Sequence, residues 1–162
     1  MARELSLEHG KTIPDSKGEI FRGLEMVEYG CSMTTHNLSD YLSTIATDVD
    51  IYNIKEPLGV TVGITPYNFP VMISLWLLPL ATVLGNTIVL KPSEKVARCV
   101  DILAEIARDA GFPPNVVTVV HGAKKTVDMI IQHPLIKCIS FVGTNLVGEY
   151  IYREGTKLGK RV

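Results

Sequence analysis

A fourfold repeat of one pattern fills the second half of the sequence and constrains the fold more than any other feature. Each repeat is a short run rich in β-branched residues, followed by a longer stretch in which apolar residues recur at helical spacing. The short runs cover residues 58–64, 86–90, 115–120 and 138–142, and the helical stretches cover 71–84, 95–110, 124–132 and 146–158. Strands that alternate with helices in this way form parallel sheets with right-handed crossovers. The sequence therefore predicts an α/β fold in which helices flank a parallel sheet.

The first 55 residues follow other patterns. Ser16 and Glu19 have the spacing of a capping box, in which the two side chains satisfy free amides at the start of a helix. An apolar face then predicts a helix over about residues 15–31, and that face consists of Ile20, Leu24, Val27 and Cys31. Residues 47–56 alternate between polar and apolar, which predicts an exposed strand. The residues expected to point inward from that strand are Val49, Ile51 and Ile54.

Both ends of the chain have the pattern of an interrupted element. Residues 2–9 are typical of the last turns of a helix that ends at Gly10, because glycine favours the left-handed backbone conformation that follows a helix. The last four residues, "GKRV", come at the point where a fifth strand is expected to begin. We therefore expect an incomplete sheet and a partial chain.

Charge and hydropathy exclude two classes of partner. The 16 basic and 17 acidic side chains give a net charge of −1, so there is no broad positive field to hold a nucleic acid or an anionic membrane. The most apolar run, residues 71–84, would be a helix too short to cross a hydrocarbon layer of about 30 Å. We predict a core helix there, with neither a nucleic acid nor a membrane as partner.

The cysteines do not suggest a metal centre or a disulfide framework. Cys31, Cys99 and Cys138 lie far apart, with no CxxC pair and no histidine at metal-binding spacing. This usage is typical of a reducing compartment. We expect all three to be buried as small apolar side chains, and we predict no metal.

Polar segments follow each of the four predicted strands, and they contain the candidate site residues. The segments are "TPYNFP", "KPSE", "HGAKK" and "GTNLVG". In an open parallel sheet, ligands bind at the carboxyl ends of the strands. Within "KPSE", Lys91 and Glu94 could grip the two hydroxyls of a ribose, with Lys donating and Glu accepting. The alternative is a solvated loop whose glutamate favours the start of the next helix.

The other two candidate positions also allow two interpretations each. In "GTNLVG", the amides at a strand-to-helix junction could bind a phosphate, although the glycines do not form the GxGxxG pattern. The alternative is a turn glycine, Gly143, with a helix cap at Thr144. Asn68 could cap the helix that begins at Phe69-Pro70, or its amide could point outward and donate to an oxyanion.

Taken together, "TPYNFP", "GNTIVLKPSE" and "SFVGTNLVGEYI", in this order and at these separations, resemble the aldehyde dehydrogenase superfamily. The similarity extends through "LEHGKT", "GEIFRGLEMVEYGCS", "VVTVVHG" and "HPLIKCISFVG", and so covers nearly the whole chain. It is most like the CoA-acylating branch that acts on methylmalonate semialdehyde. The resemblance implies that residues 1–55 belong to the N-terminal region of that fold, and that residues 56–162 form part of its Rossmann-like, NAD-binding domain.

The resemblance also implies a role for individual residues. Asn68 corresponds to the asparagine of the oxyanion hole, and Arg22 to an arginine that binds the substrate carboxylate. Lys91 and Glu94 correspond to the pair that binds the adenosine ribose of NAD. The remaining cofactor contacts are Thr65, Pro66 and Tyr67 along the path of NAD, Gly143 and Thr144 near its pyrophosphate, and Val147 near its adenine.

In that superfamily a cysteine thiolate attacks the aldehyde, NAD is reduced and, in this branch, CoA releases the acyl group. The motif of the nucleophilic cysteine is expected beyond residue 162, so we expect this chain alone to be inactive. The resemblance implies a small aldehyde and CoA as substrates, and a homo-oligomer that is a tetramer or a dimer. It also implies the mitochondrial matrix in eukaryotes, with the cytoplasm as the alternative location. The alternative is a non-catalytic, truncated module that serves binding or assembly.

Overall fold

The computed structural model describes residues 1–37 and 39–162. Within these residues the helices are α1 (Ala2–His9), α2 (Ile13–His36), α3 (Pro70–Val83), α4 (Arg98–Asp109), α5 (Lys124–Gln132) and α6 (Asn145–Lys157). The strands are β1 (Tyr41–Ala46), β2 (Val49–Tyr52), β3 (Val60–Ile64), β4 (Thr87–Lys91), β5 (Val117–Val119) and β6 (Ile136–Phe141). All four strand-helix repeats of the second half lie where the sequence predicts them.

Strands β3 to β6 form one parallel sheet in the order β5-β4-β3-β6. Val62 in the central strand β3 pairs with Val89 of β4 on one side and with Ile139 of β6 on the other. Arg161 pairs in parallel with Cys138 of β6, at the position where the sequence predicts that a fifth strand begins. The predicted α/β fold with a parallel sheet is confirmed.

Helices cover both faces of this sheet. Val62 and Ile64 of β3 point to a buried cluster that includes Val127 of α5 and Ile151 of α6. On the opposite face α3 packs so closely that a Cβ added at Gly63 would lie 2.8 Å from a methyl carbon of Leu77. Helix α3 is the predicted core helix. Among the described residues, no helix is both long enough and apolar enough to cross a membrane.

Helix α2 is longer than predicted and begins earlier. Thr12 is its N-cap residue, and the Thr12 hydroxyl accepts a hydrogen bond from the backbone amide of Asp15 at 3.3 Å. Ser16 and Glu19 lie inside the helix and are fully buried, so the predicted capping box is wrong. A threonine cap followed by a proline in the first turn starts the helix before the box is reached. The Ser16 hydroxyl lies 2.8 Å from the hydroxyl of Ser6 in α1.

The face of α2 that packs on α3 includes two glycines. Leu24 and Cys31, both predicted to be buried, are exposed, whereas Gly23 and Gly30 are buried. A Cβ added at Gly30 would lie 2.9 Å from the Cβ of Pro79 in α3. The two helices therefore pack with their backbones close together, which larger apolar side chains would prevent. The other two predicted positions, Ile20 and Val27, are partly buried against the core.

The N-terminus of α3 is capped from a distant part of the sequence. Its N-cap residue, Phe69, makes no side-chain cap hydrogen bond. The buried carboxylate of Glu19 instead accepts hydrogen bonds from the backbone amides of Val71 and Met72, at 2.9 and 3.2 Å. These amides have no acceptor within their own helix, and the positive end of the helix dipole favours a negative charge at this point.

Helix α4 is capped in the same way. Its N-cap residue, Ala97, has no side chain that can accept a hydrogen bond. Glu8 of α1 accepts from the backbone amides of Ala97, Arg98 and Cys99, at 2.7, 2.9 and 3.4 Å. The N-terminal helices thus supply the caps that two helices of the parallel-sheet region lack.

Strands β1 and β2 form a separate antiparallel pair. The sequence pattern indicates β2 but misses β1, and the strand prediction for residues 47–56 is confirmed only for the four residues of β2. Every residue of both strands is exposed, so the prediction that Val49 and Ile51 point inward is wrong. Ile54, after the end of β2, is exposed as well. Alternation of polar and apolar residues predicts a strand, but it does not show whether another element packs on the apolar side of that strand.

The two glycines Gly30 and Gly18 of α2 allow a matched test of the α2–α3 contact. Gly30→Ala places a methyl group against the rigid ring of Pro79, and we expect it to lower the free energy of unfolding by about 1–3 kcal/mol. Gly18→Ala meets no atom within 4 Å, and we expect a gain of about 0.5–1 kcal/mol from helix propensity. Urea unfolding followed by circular dichroism measures both. Equal stabilisation by the two substitutions would contradict close packing of α2 on α3.

Candidate functional site

A cleft of about 1000 Å³ lies at the carboxyl edge of the parallel sheet. All four segments that follow the strands contribute to it. Nine of the ten site residues predicted from the sequence line this cleft: Thr65, Pro66, Tyr67, Asn68, Lys91, Glu94, Gly143, Thr144 and Val147. The tenth, Arg22, lies outside its lining.

Backbone hydrogen bonds that continue past the ends of the strands hold these segments in register. The Thr65 amide donates to the carbonyl of Lys91 at 3.1 Å, and the Val142 amide donates to the carbonyl of Ile64 at 3.1 Å. The first residues of three loops therefore start side by side. This is why polar residues that are distant in the sequence come together at one edge.

Lys91 and Glu94 form an asymmetric pair in the cleft. The Lys91 ammonium lies 3.6 Å from a carboxylate oxygen of Glu94, and the two side chains are 5% and 55% exposed. The pKa of Glu94 lies below its usual value. The largest cause is the hydrogen bond that the carboxylate accepts from the Glu94 backbone amide, and the charge of Lys91 is a smaller cause. The buried lysine argues against the interpretation of this segment as a merely solvated loop. The pair presents a fixed donor and an ionised acceptor to the cleft.

Thr65 contributes a polar group that is ready for a ligand. The residue is 3% exposed, and among the described residues its hydroxyl has no hydrogen-bond partner. Buried polar groups in native proteins are nearly always hydrogen-bonded. Because Thr65 lines the cleft, a polar ligand there would satisfy its hydroxyl.

The start of α6 provides free backbone amides at the cleft. Thr144 is its N-cap residue, as the capping interpretation predicts, but its hydroxyl makes no cap hydrogen bond. The first intrahelical bond runs from the Gly148 amide to the Thr144 carbonyl, which leaves the preceding amides of the first turn to solvent or to a ligand. At Gly143 an added Cβ would clash with the ring of Phe141, so the ring packs directly on this backbone. Such a helix start favours an anion.

Asn68 does not cap α3. Within residues 1–37 and 39–162 its carboxamide makes no hydrogen bond, and Glu19 supplies the cap. The backbone carbonyl of Asn68 accepts a hydrogen bond from the Lys11 ammonium at 2.8 Å. Of the two interpretations of Asn68, the structure favours a side chain that is free to interact with a ligand.

Arg22 lies on α2 beside the loop that carries Asn68. Its guanidinium carbon is 5.5 Å from the centre of the Phe69 ring, and its Nε donates to the carbonyl of Gly18 at 3.3 Å. Arg22 is exposed. It is therefore close to the candidate site residue Asn68 in the fold but not part of the same cleft.

The structure adds residues that the sequence interpretation missed. Tyr150 and Arg153 of α6 and Lys124 of α5 line the cleft. The Lys124 ammonium lies 4.9 Å and the Arg153 guanidinium 5.9 Å from the centre of the Tyr150 ring, and the Tyr150 hydroxyl donates to Asp128 at 2.8 Å. For Tyr150 and Arg153 the sequence contains a signal that could have found them. Residues 147, 150 and 153 recur every three positions, so they lie near one face of a helix, the face on which Val147 was already a candidate.

None of the three cysteines lines the cleft. Burial raises the pKa of Cys99 to about 11 and also raises the pKa of Cys138. Cys99 is buried and Cys138 partly buried, whereas Cys31 is exposed, so the expectation that all three are buried is wrong for Cys31. The part of the chain that the structure describes holds no group of three His, Cys, Asp or Glu side chains suited to a metal ion.

Comparison with known proteins gives a consistent result. The family model described as "Aldehyde dehydrogenase family" matches residues 1–162. The chain is 48% identical over 162 residues to a bovine mitochondrial enzyme named methylmalonate-semialdehyde/malonate-semialdehyde dehydrogenase [acylating], and covers 30% of that protein. It is 46% identical over 162 residues to a malonate-semialdehyde dehydrogenase of Pseudomonas aeruginosa, of which it covers 33%. The chain thus spans about a third of the length of these relatives.

Solved structures agree with this match. A crystal structure from Sinorhizobium meliloti, named for methylmalonate-semialdehyde dehydrogenase and complexed with NAD, superimposes with a TM-score of 0.96 at 42% identity. The superposition covers 99% of this chain and 33% of the other. The methylmalonate-semialdehyde dehydrogenase of Oceanimonas doudoroffii gives a TM-score of 0.96 at 41% identity, over 99% of this chain and 33% of the other.

The lowered pKa of Glu94 yields a test of the site's electrostatics. We expect Lys91→Met to raise the Glu94 pKa, but to leave it below the usual value of about 4.5, because its own backbone amide is the largest cause of the shift. Carbon-detected NMR titration of the Glu94 carboxyl measures this. A carboxyl whose pKa is lowered by folding stabilises the fold above its unfolded pKa, and this contribution disappears as the pH falls through the folded pKa. An unchanged Glu94 pKa in Lys91→Met would show that the two groups do not interact.

Proposed function

This chain belongs to the aldehyde dehydrogenase family, and we propose that its cleft binds the adenosine and pyrophosphate portion of NAD. The observation that carries the proposal is the buried Lys91 next to the ionised Glu94, in the same cleft as the free amides at the start of α6. The Lys91–Glu94 pair matches two adjacent hydroxyls, and the helix start matches a phosphate. The NAD complex of the Sinorhizobium meliloti relative supports the proposal.

In this proposal Lys91 donates to, and Glu94 accepts from, the hydroxyls of the adenosine ribose. The unpartnered hydroxyl of Thr65, with Pro66 and Tyr67, lies along the path of the cofactor. Gly143 and Thr144 allow the pyrophosphate to approach the backbone, and Val147 packs near the adenine. NAD, when bound, supplies the oxidant for an aldehyde.

On the substrate side, we propose that the free carboxamide of Asn68 donates to the oxyanion that forms when a nucleophile attacks the aldehyde. Arg22, about 5.5 Å from the ring of the next residue, Phe69, is proposed to bind the carboxylate of a semialdehyde. A planar guanidinium can make two parallel hydrogen bonds to a carboxylate, which suits a malonate or methylmalonate semialdehyde. CoA is the proposed acceptor of the acyl group.

We further propose how the chain relates to the whole protein. Residues 1–55 correspond to the N-terminal region of the family's fold, and residues 56–162 to part of its NAD-binding domain.

The whole protein is proposed to be a homo-oligomer, a dimer or a tetramer. The uniformly exposed β1–β2 pair, which carries apolar residues on its surface, supports association. A mitochondrial location is proposed by analogy with the eukaryotic relatives that are named mitochondrial.

NAD binding tests the assignment of the ribose pair. We expect this chain to bind NAD weakly, with a Kd of about 1 mM, and Glu94→Ala to weaken binding about tenfold, or about 1.4 kcal/mol. Glu105→Ala is the matched control, because Glu105 is a half-exposed glutamate on α4 that does not line the cleft. Calorimetry or amide shifts in an NMR titration measures the affinities. Strong binding that Glu94→Ala leaves unaffected would refute the ribose assignment.

Catalysis by this chain alone is the second test. We expect no CoA-dependent formation of NADH from malonate or methylmalonate semialdehyde, because no thiol lines the cleft and the thiols of Cys99 and Cys138 have raised pKa values. The bovine enzyme named methylmalonate-semialdehyde/malonate-semialdehyde dehydrogenase [acylating], assayed in parallel, serves as the positive control. A CoA-dependent rate well above the blank would overturn the expectation of inactivity.

A further inference from the structure

We propose that Lys11 and Glu19, two residues of the N-terminal segment outside the cleft, position the backbone that carries Asn68. The inference rests on the proposed function, in which Asn68 is the oxyanion donor. The geometry that supports it does not involve NAD. It concerns the loop of residues 66–70 and its contacts with residues 9–22.

Lys11 connects two parts of the structure. Its ammonium donates to a carboxylate oxygen of Glu19 at 2.5 Å and to the backbone carbonyl of Asn68 at 2.8 Å. The same ammonium lies 4.8 Å from the centre of the Phe69 ring. The Lys11 side chain is 11% exposed and that of Glu19 is 0% exposed. Both charges are therefore largely removed from water, and each depends on the other for compensation.

Glu19 fixes the chain immediately after Asn68. One of its carboxylate oxygens accepts from the amides of Val71 and Met72, at 2.9 and 3.2 Å, while the other accepts from Lys11. The peptide between Asn68 and Phe69 and the first turn of α3 are thus bound to the same ion pair. Hydrogen bonds that involve a charged partner are about twice as strong as neutral ones.

The residue before Asn68 is also held by the N-terminal segment. The rings of His9 and Tyr67 are stacked, with centroids 6.3 Å apart and an interplanar angle of 19°. The Lys95 ammonium lies 5.3 Å from the centre of the Tyr67 ring. Contacts from His9, Lys11 and Glu19 therefore follow the loop residue by residue, from Tyr67 to the start of α3.

These contacts hold the backbone of Asn68 and leave its side chain free. The carboxamide makes no hydrogen bond to any residue that the structure describes, so its direction depends on where the backbone places the Cα–Cβ bond. An oxyanion donor acts best when it is already oriented before the charge develops. The N-terminal ion pair fixes the backbone from which that donor extends, without contacting the reacting atoms.

A purely structural role makes a different prediction. If Glu19 served only as the cap of α3, a neutral glutamine could replace it, because the side-chain oxygen of that glutamine can still accept from the Val71 and Met72 amides. The positioning role requires in addition the hydrogen bond from Lys11 to the Asn68 carbonyl. The double variant Lys11→Met, Glu19→Gln keeps the cap, removes both charges and deletes that hydrogen bond. It avoids the buried unpaired carboxylate that Lys11→Met alone would leave, which would destabilise the fold.

The experiment compares the wild-type chain with the double variant, with Lys11→Arg and with Lys17→Met. Lys11→Arg keeps a cation that can donate to both acceptors, and Lys17→Met removes an exposed lysine of α2 as a matched control. Backbone ¹⁵N relaxation of the Phe69 amide reports on the peptide plane that contains the Asn68 carbonyl. Urea unfolding of each variant shows whether the fold is retained.

In the wild type, Lys11→Arg and Lys17→Met, we expect the Phe69 amide to have an order parameter of about 0.85, as in rigid backbone. In the double variant we expect a value below about 0.6, with a cooperative unfolding transition retained. A rigid Phe69 amide in the folded double variant overturns the positioning role. If the double variant does not fold, the same measurement on Lys11→Leu, Glu19→Gln decides in the same way, because a leucine at position 11 also has no group that can donate to the Asn68 carbonyl.

The NAD titration keeps this inference separate from the proposed function. If wild-type chain and Glu94→Ala both fail to bind NAD while the Phe69 amide loosens in the double variant, the proposed function fails and the positioning of Asn68 by Lys11 holds. If NAD binds as expected while Phe69 stays rigid in the double variant, the positioning role fails and the proposed function holds.

Discussion

The buried carboxylate of Glu19 is the interaction on which the remaining arrangement depends. Helix α3 is apolar on all sides and lies between the sheet and α2, so its first amides cannot reach water. Its own N-cap, Phe69, offers no acceptor. Glu19 satisfies two of these amides and is compensated in turn by Lys11. Removal of one partner from such a buried pair costs about 3–5 kcal/mol in proteins, because the other charge is left unpaired.

The same solution occurs at α4, and it ties the N-terminal helices to the rest of the chain. Glu8 accepts three backbone hydrogen bonds there, just as Glu19 accepts two at α3. Glycines on α2 let its backbone approach α3 closely, which brings Glu19 within reach. Helices α1 and α2 therefore do more than cover the sheet. They complete two helix starts and hold the loop that precedes α3.

The same loop begins at the carboxyl edge of the parallel sheet, and the geometry of that sheet explains why the candidate site exists. Parallel strands end on one side, and their hydrogen bonds continue far enough to hold Thr65, Lys91 and Val142 in one row. The cleft is then lined by a buried cation, an ionised carboxylate, an unpartnered hydroxyl and a helix start. These groups differ in charge and burial, so the cleft can distinguish the parts of a long, polar ligand. Membership of the aldehyde dehydrogenase family agrees with this arrangement.

The sequence by itself determined the α/β class, the positions of all four strand-helix repeats and nine of the residues that line the cleft. It could do so because periodicity and turn residues are local, and because every parallel strand places its carboxyl end on the same edge. Thr65, Pro66, Tyr67 and Val147 were identified only through the resemblance of their motifs to the aldehyde dehydrogenase family. Only the tertiary structure decided what Ser16, Glu19, Leu24 and Cys31 do. A capping box and an apolar stripe are local patterns, but Glu19 accepts a hydrogen bond from an amide 52 positions away, and two glycines lie on the buried face of α2. Contacts between residues so distant in the sequence depend on how two helices pack. A local sequence pattern therefore cannot identify the residue that Glu19 contacts.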